Sequence, residues 1–69
     1  MDRVSVTSSN VESVGYDASS STLEVEFKDG SVYQYHGVPS EHFDAMLSAE
    51  SVGKYLNANI KHKYRYTKV

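Results

Sequence analysis

The sequence predicts an α+β fold, a three-stranded antiparallel β-meander followed by two α-helices packed on one of its faces. Three observations carry that expectation. The run from Thr22 to Lys28 (TLEVEFK) alternates strictly between apolar and polar residues, Asp29-Gly30 supplies turn chemistry before a second alternating run, and beyond the single proline apolar residues recur at steps of three and four. A chain of 69 residues, 39% hydrophobic, is one domain near the lower size at which a core holds without staples.

Residues 1–10, rich in Ser, Thr and Asn, are expected as a loosely ordered segment, or as an edge strand through the alternating Val4 and Val6. The first strand of the meander is placed at Val11–Asp17, where Val14 and Tyr16 alternate with Ser13, Gly15 and Asp17. Small polar residues, Ala18 to Ser21, form the turn. The second strand, Thr22–Lys28, directs Leu23, Val25 and Phe27 to one face and Glu24 and Glu26 to the other.

The hairpin to the third strand, Ser31–Gly37, admits two registers. A two-residue Asp-Gly loop pairs Phe27 with Val32 and sets Tyr33 and Tyr35 on the wet face, as a platform. A three-residue Lys-Asp-Gly loop with left-handed Gly30 pairs Val25 with Tyr33 and Leu23 with Tyr35, which makes the tyrosines core wall, their hydroxyls reaching polar neighbours. The second register gathers every large side chain on one face, so consistency of pattern favours it.

Pro39 and Ser40 open a helix over Ser40–Ala49, with Pro suited to the first turn, Ser40 as a cap and Glu41 and Asp44 at the positive end of the dipole. Its stripe is Phe43, Met46 and Leu47. Ser51 caps a second helix, Val52–Lys63, in which Val52, Tyr55, Leu56, Ile60 and Tyr64 share a face. Gly53, Asn57 and Asn59 are poor helix formers, and Gly53 reads as a point of close approach. The last residues fit a fraying helix, a short strand or a tail, and the domain is bounded at residues 11–64 with 65–69 as tail.

Composition excludes more than it selects. There is no cysteine, hence no disulfide or thiolate metal site, the opening MDRVSVTSSN lacks the basic-then-apolar pattern of a signal peptide, and no apolar run approaches roughly 20 residues. The expectation is a cytoplasmic protein that meets no membrane. His36, His42 and His62 fall on a strand, a helix and the chain's far end, without the spacing of a metal site, and no serine stands in a nucleophile elbow. No cofactor, metal or catalytic residue is assigned.

Charge is the informative asymmetry. Residues 1–53 carry two basic side chains against nine acids, whereas residues 54–69 carry five basic side chains and no acid. Were the second helix to run on, Lys54, Lys61, Arg65 and Lys68 would lie in one narrow arc, with Tyr64 and Tyr66 interleaved as stacking surfaces for unpaired bases, and Lys63 adds a further basic side chain to the segment. That makes Lys54, Lys61, Lys63, Arg65, Tyr64 and Tyr66 the candidates for RNA, either tRNA or single strands. The competing reading has Tyr64 closing the core and the lysines solvating the surface. A protein partner on the face of Glu24, Glu26, Gln34 and His36, or on a free edge strand, is the alternative.

Taken in order, Gly15-Tyr16-Asp17, the alternating Leu23, Val25 and Phe27, then Gly30, Tyr33-Gln34-Tyr35 and Val38-Pro39 form a distinctive series. It continues through Ala49, Ser51, Gly53 and Tyr55 to Asn57 and Ile60-Lys61. The series resembles the KTSC domain family, small bacterial and phage proteins named for a domain also found at the C-terminus of some lysyl-tRNA synthetases. The resemblance covers about Val11 to Tyr64, with Leu56 standing where Phe is more frequent. It implies that Tyr33, Tyr35, Gly53 and Tyr55 belong to the family pattern with structural roles, and association with a synthetase suggests RNA binding. With no catalytic motif in the sequence, the expected function is binding without catalysis.

Overall fold

The computed structural model describes residues 2–69 and shows a five-stranded antiparallel sheet with two helices on one face. In chain order the elements are β1 (Arg3–Ser5), β2 (Val11–Asp17), β3 (Thr22–Phe27), β4 (Val32–His36), α1 (Ser40–Ser48), α2 (Val52–Asn59) and β5 (Arg65–Lys68). The strands lie in sequence order from β1 to β5, so every neighbour is a hairpin partner except β5, which returns beside β4 after the helices. Two strands therefore join the expected three. The polar N-terminal stretch contributes an edge strand, and Arg65–Lys68, expected as tail, forms the opposite edge.

The three-residue hairpin register holds. Val25 faces Tyr33 and Leu23 faces Tyr35, while the Phe27 N–H donates to the Ser31 carbonyl at 2.8 Å and Gly30 takes φ +93°. Only glycine accepts that backbone without strain. β2 contains an irregularity that alternation alone does not announce: the register shifts between Val11 and Ser13, so Val11, Val14 and Tyr16 all face the helices. An extra residue in one strand restores the inward face after a parity break.

The core consists of Val11, Val14, Leu23, Val25, Tyr35, Val38, Met46, Val52, Leu56 and Ile60, all buried. These are inward residues of β2–β4 and of both helices, joined by Val38 just before α1 and Ile60 just after α2, which is why burying one sheet face suffices for so short a chain. Tyr16 anchors the sheet-to-helix crossing, since its hydroxyl donates to the Val38 carbonyl and its ring stacks on Phe43 with centroids 5.8 Å apart.

Both helix termini depart from expectation. Pro39, extended at φ −64° and ψ 147°, is the residue flanking α1, and Ser40 is already helical, so α1 starts without a side-chain cap. Proline's fixed φ does the stopping there. Ser51 does cap α2, accepting from the Lys54 N–H at 3.2 Å. However, α2 ends at Asn59, four residues before the expected Lys63. The N–H groups of both Ile60 and Lys61 turn to the Leu56 carbonyl, and those of Lys63 and Tyr64 to the Ile60 carbonyl, so the chain reverses over Ile60–Lys63. Burial of Ile60 at the reversal, next to weak helix formers, ends the helix without Gly or Pro.

Gly53 is a point of close approach, as expected. A Cβ there would lie 2.6 Å from Asn10 Oδ1 and 3.4 Å from Ser8 Oγ, because the β1–β2 loop crosses the first turn of α2. None of the described helices is long and apolar enough to cross a membrane.

Candidate functional site

The two faces of the sheet differ in chemistry. On the uncovered face Arg3 crosses Gly15 to reach Glu24 Oε2 at 3.4 Å and Glu26 Oε1 at 3.8 Å. A side chain on Gly15 would block that path, since its Cβ would stand 2.9 Å from Arg3 Cγ and 2.6 Å from the Asp2 carbonyl oxygen. Gln34 Nε2 donates to Glu24 Oε1 at 2.9 Å and Ser13 Oγ to Glu26 Oε1 at 2.9 Å, while His36 Nε2 and Thr67 Oγ1 lie 2.9 Å apart. The carboxylates expected to meet a partner here are thus held across strands.

The covered face is not covered to its edge. The helices leave the inward residues of β5 open, and Tyr66, which faces Tyr35, is 58% exposed. The result is a groove of about 580 Å³. Its floor is aromatic: Tyr33 and Tyr66 have centroids 5.4 Å apart, Tyr35 and Tyr66 6.0 Å, and Phe27 meets Tyr33 edge-on at 5.6 Å. Lys61 and His62, just past α2, line one side, and Lys28, Asp29 and Ser31 of the β3–β4 turn line the other. Lys68, opposite Tyr33 in β5, places its ammonium 5.9 Å above the Tyr33 ring.

Tyr33 and Tyr35 are therefore neither simple platform nor simple wall. Tyr35 is 2% exposed and belongs to the core, whereas Tyr33 is half-buried and forms the groove floor. Among the described residues neither hydroxyl has a protein hydrogen-bond partner, and no buried polar side-chain atom lacks one, so both hydroxyls open to the groove rather than reach protein neighbours. Burial, with Tyr33 and Tyr66 adding smaller contributions, pushes the Tyr35 phenol up from its ordinary pKa, so it stays protonated and able to donate.

Asp29 is fixed by its turn. Its Oδ1 accepts from the Ser31 N–H at 2.9 Å and the Ser31 hydroxyl at 2.6 Å, and these bonds, with a smaller contribution from Lys68, hold the carboxyl below its ordinary pKa. The groove thus combines flat aromatic faces, three lysines and one ionised carboxylate, a mixture suited to a planar, anionic ligand with hydrogen-bonding edges.

The single basic arc does not form. Because α2 stops and β5 alternates, Tyr66 and Lys68 face the groove while Arg65 pairs with His36 and Thr67 with Gln34 on the opposite side. Of the six RNA candidates, only Lys61 and Tyr66 line the groove. Lys54 and Lys63 are exposed elsewhere. Tyr64 is half-buried and meets His42 edge-on at 5.9 Å, and the Tyr55 hydroxyl lies 2.8 Å from His42 Nδ1, so both close the helix side of the core. Sequence reasoning misses Lys28, Asp29 and His62 as groove residues. The three-residue turn is a local signal, but Lys28 and Asp29 become a groove rim only through the long-range return of Arg65–Lys68 beside β4. Among the described residues no three His, Asp or Glu side chains gather as metal ligands would.

Comparison with known proteins agrees with this architecture. The family model of the KTSC domain matches residues 7–64. An uncharacterised protein of Stutzerimonas stutzeri is 43% identical over 70 residues, spanning 100% of this chain and 99% of that one. A lysine–tRNA ligase of Trichormus variabilis is 39% identical over 51 residues, which are 74% of this chain but 9% of the ligase. The crystal structure of a KTSC domain protein from Yersinia pestis superimposes with a TM-score of 0.93 at 38% identity, covering 99% of this chain and 96% of that one.

Proposed function

The chain belongs to the KTSC domain family, and from that premise we propose that it is a non-catalytic binding domain of the cytoplasm that takes a short single-stranded RNA segment in its aromatic groove. One observation carries the reading: Tyr66, exposed, stands beside Tyr33 in a groove that Lys61 also lines, with the Lys68 ammonium over the Tyr33 ring. Stacking a base on such a ring is worth about 1–3 kcal/mol, and it tolerates any sequence because every base has a flat face. The lysines supply phosphate contacts at the same place. The acids that dominate residues 1–53 confine attraction to this region, which suits a few nucleotides of single strand better than a long duplex. Relatives that are lysine–tRNA ligases add support, since their name places tRNA among their substrates.

The test is fluorescence anisotropy of a labelled RNA hexamer against the wild type, Tyr66→Ala, Lys61→Glu and Arg65→Glu. The reading requires weakened binding in the first two variants and near-wild-type affinity in Arg65→Glu, which lies on the other face. Equal loss in Lys61→Glu and Arg65→Glu would mean that diffuse charge, not the groove, holds RNA.

A second reading has one specific support. The Val69 N–H donates to the Val32 carbonyl at 2.9 Å, so by strand alternation the backbone groups of Tyr66 and Lys68 point away from β4 along a free edge. An extended protein segment can add there as a further strand. Hexamer binding absent, with β5 amides instead protected by a protein partner, would select this reading.

A further inference from the structure

We infer that Tyr35, whose ring belongs to the core, is also a binding residue: its hydroxyl donates to a phosphate oxygen of the bound strand. The inference rests on the RNA reading above. Tyr35 is 2% exposed, yet among the described residues its hydroxyl has no protein partner and opens to the groove. Two less buried tyrosines do find partners. The Tyr16 hydroxyl donates to the Val38 carbonyl, and the Tyr55 hydroxyl lies 2.8 Å from His42 Nδ1. A position that asked only for packing would be served by phenylalanine, since a hydroxyl carried on a buried ring costs desolvation unless something accepts from it. Packing thus accounts for the ring of Tyr35 and leaves its hydroxyl unexplained.

The surroundings define the acceptor. Tyr33, Tyr35 and Tyr66 form a triangle of rings with centroids 6.4, 6.0 and 5.4 Å apart, and all three line the groove. Lys28, Lys61 and His62 line it too, and the Lys68 ammonium stands 5.9 Å above the Tyr33 ring. The one acid among the lining residues, Asp29, accepts from Ser31 at the turn. A neutral donor amid basic side chains favours an anionic oxygen, to which its hydrogen bond is stronger than to a neutral one. In RNA that oxygen belongs to phosphate. Burial, with smaller contributions from Tyr33 and Tyr66, holds the Tyr35 phenol above its ordinary pKa, so at neutral pH it keeps the proton it donates. Exposure divides the work: Tyr66, 58% exposed, offers a ring face to a base, whereas Tyr35 offers only its hydroxyl.

The experiment uses Tyr35→Phe, which keeps the ring and removes the donor. Anisotropy is measured on the full chain, wild type and variant, with a labelled pentauridylate and with its 2′-deoxy counterpart, and both proteins are unfolded in urea. Tyr35→Phe should unfold at the wild-type urea concentration, because no protein partner is lost. It should bind pentauridylate about tenfold more weakly, as expected for one hydrogen bond to a charged group. The deoxy strand should lose by the same factor, since it shares the phosphates. That factor should be equal at about 50 and about 200 mM salt, because a neutral donor, unlike a lysine, releases no counterion. A loss confined to pentauridylate would assign the hydroxyl to the ribose, and an unchanged affinity would make it a bystander. Either result overturns the inference and leaves the groove reading standing. A lower urea midpoint in Tyr35→Phe would tie the hydroxyl to the fold and likewise overturn the inference alone. A wild type that binds neither strand would overturn both.

Discussion

At the scale of single residues, burial separates side chains that look alike in the sequence. Tyr33 and Tyr35 share a strand face, yet only Tyr35 has its ring buried in the core. Truncating a fully buried aromatic costs about 3–5 kcal/mol, so Tyr35→Ala should lose that much in urea denaturation. Tyr33→Ala should cost distinctly less, and Tyr33→Phe almost nothing, because the hydroxyl has no protein partner to abandon. The two buried glycines divide in the same way. At Gly15 an added methyl meets the Asp2 backbone and the start of the Arg3 side chain, neither of which can move without lifting β1. At Gly53 the nearest atom is the end of the exposed Asn10 side chain, which can swing away. Gly15→Ala should therefore destabilise by about 1–3 kcal/mol, as overpacking does. Gly53→Ala should stay within about 1 kcal/mol of wild type, its clash offset by the gain in helix propensity.

Among the elements, the hairpins carry their own fastenings. Asp17 Oδ1 accepts from the Ser19 N–H at 3.0 Å and the Ser19 hydroxyl at 2.7 Å, repeating at the β2–β3 turn what Asp29 and Ser31 do at the next. In each case the serine bonds are the main cause holding the carboxyl below its ordinary pKa. A folded pKa below the unfolded one means that the stability is present above the unfolded value, about 3.9 for Asp, and is lost as pH falls through the folded one. Denaturation midpoints should accordingly decline below about pH 4, and the double variant Asp17→Asn, Asp29→Asn should decline less steeply there. Strand positions β2 to β4 and the hairpin register were legible because alternation and turn chemistry are local signals. At β1 and β5 the sequence leaves a strand as one alternative among others, since edge strands of three and four exposed residues bury too little to leave a pattern. The premature end of α2 was hidden for a related reason: Ile60 and Tyr64 sit at helical spacing, but tertiary burial of Ile60 in a reversing chain uses the same residues differently.

Over the whole molecule, the sheet separates two chemistries that the linear charge pattern had merged. A stripe from Lys54 to Lys68 looked continuous, and the return of β5 beside β4 splits it, sending Arg65 to the polar face and Lys68 to the aromatic one. The candidate site was thus half legible, in Lys61, Tyr66 and the Tyr33–Tyr35 pair, while its other rim depended on a long-range pairing. With about three phosphates neutralised by Lys28, Lys61 and Lys68, RNA affinity should fall roughly 20-fold between 50 and 200 mM salt. The most direct measurement of the central claim is an amide NMR titration of the full chain with a short single-stranded RNA. Shifts should concentrate at Lys28, Tyr33, Lys61, His62, Tyr66 and Lys68, leave Glu24 and Gln34 on the far face unmoved, and vanish in Tyr66→Ala. An unchanged spectrum, or shifts shared equally by both faces, would contradict the groove as the site of binding.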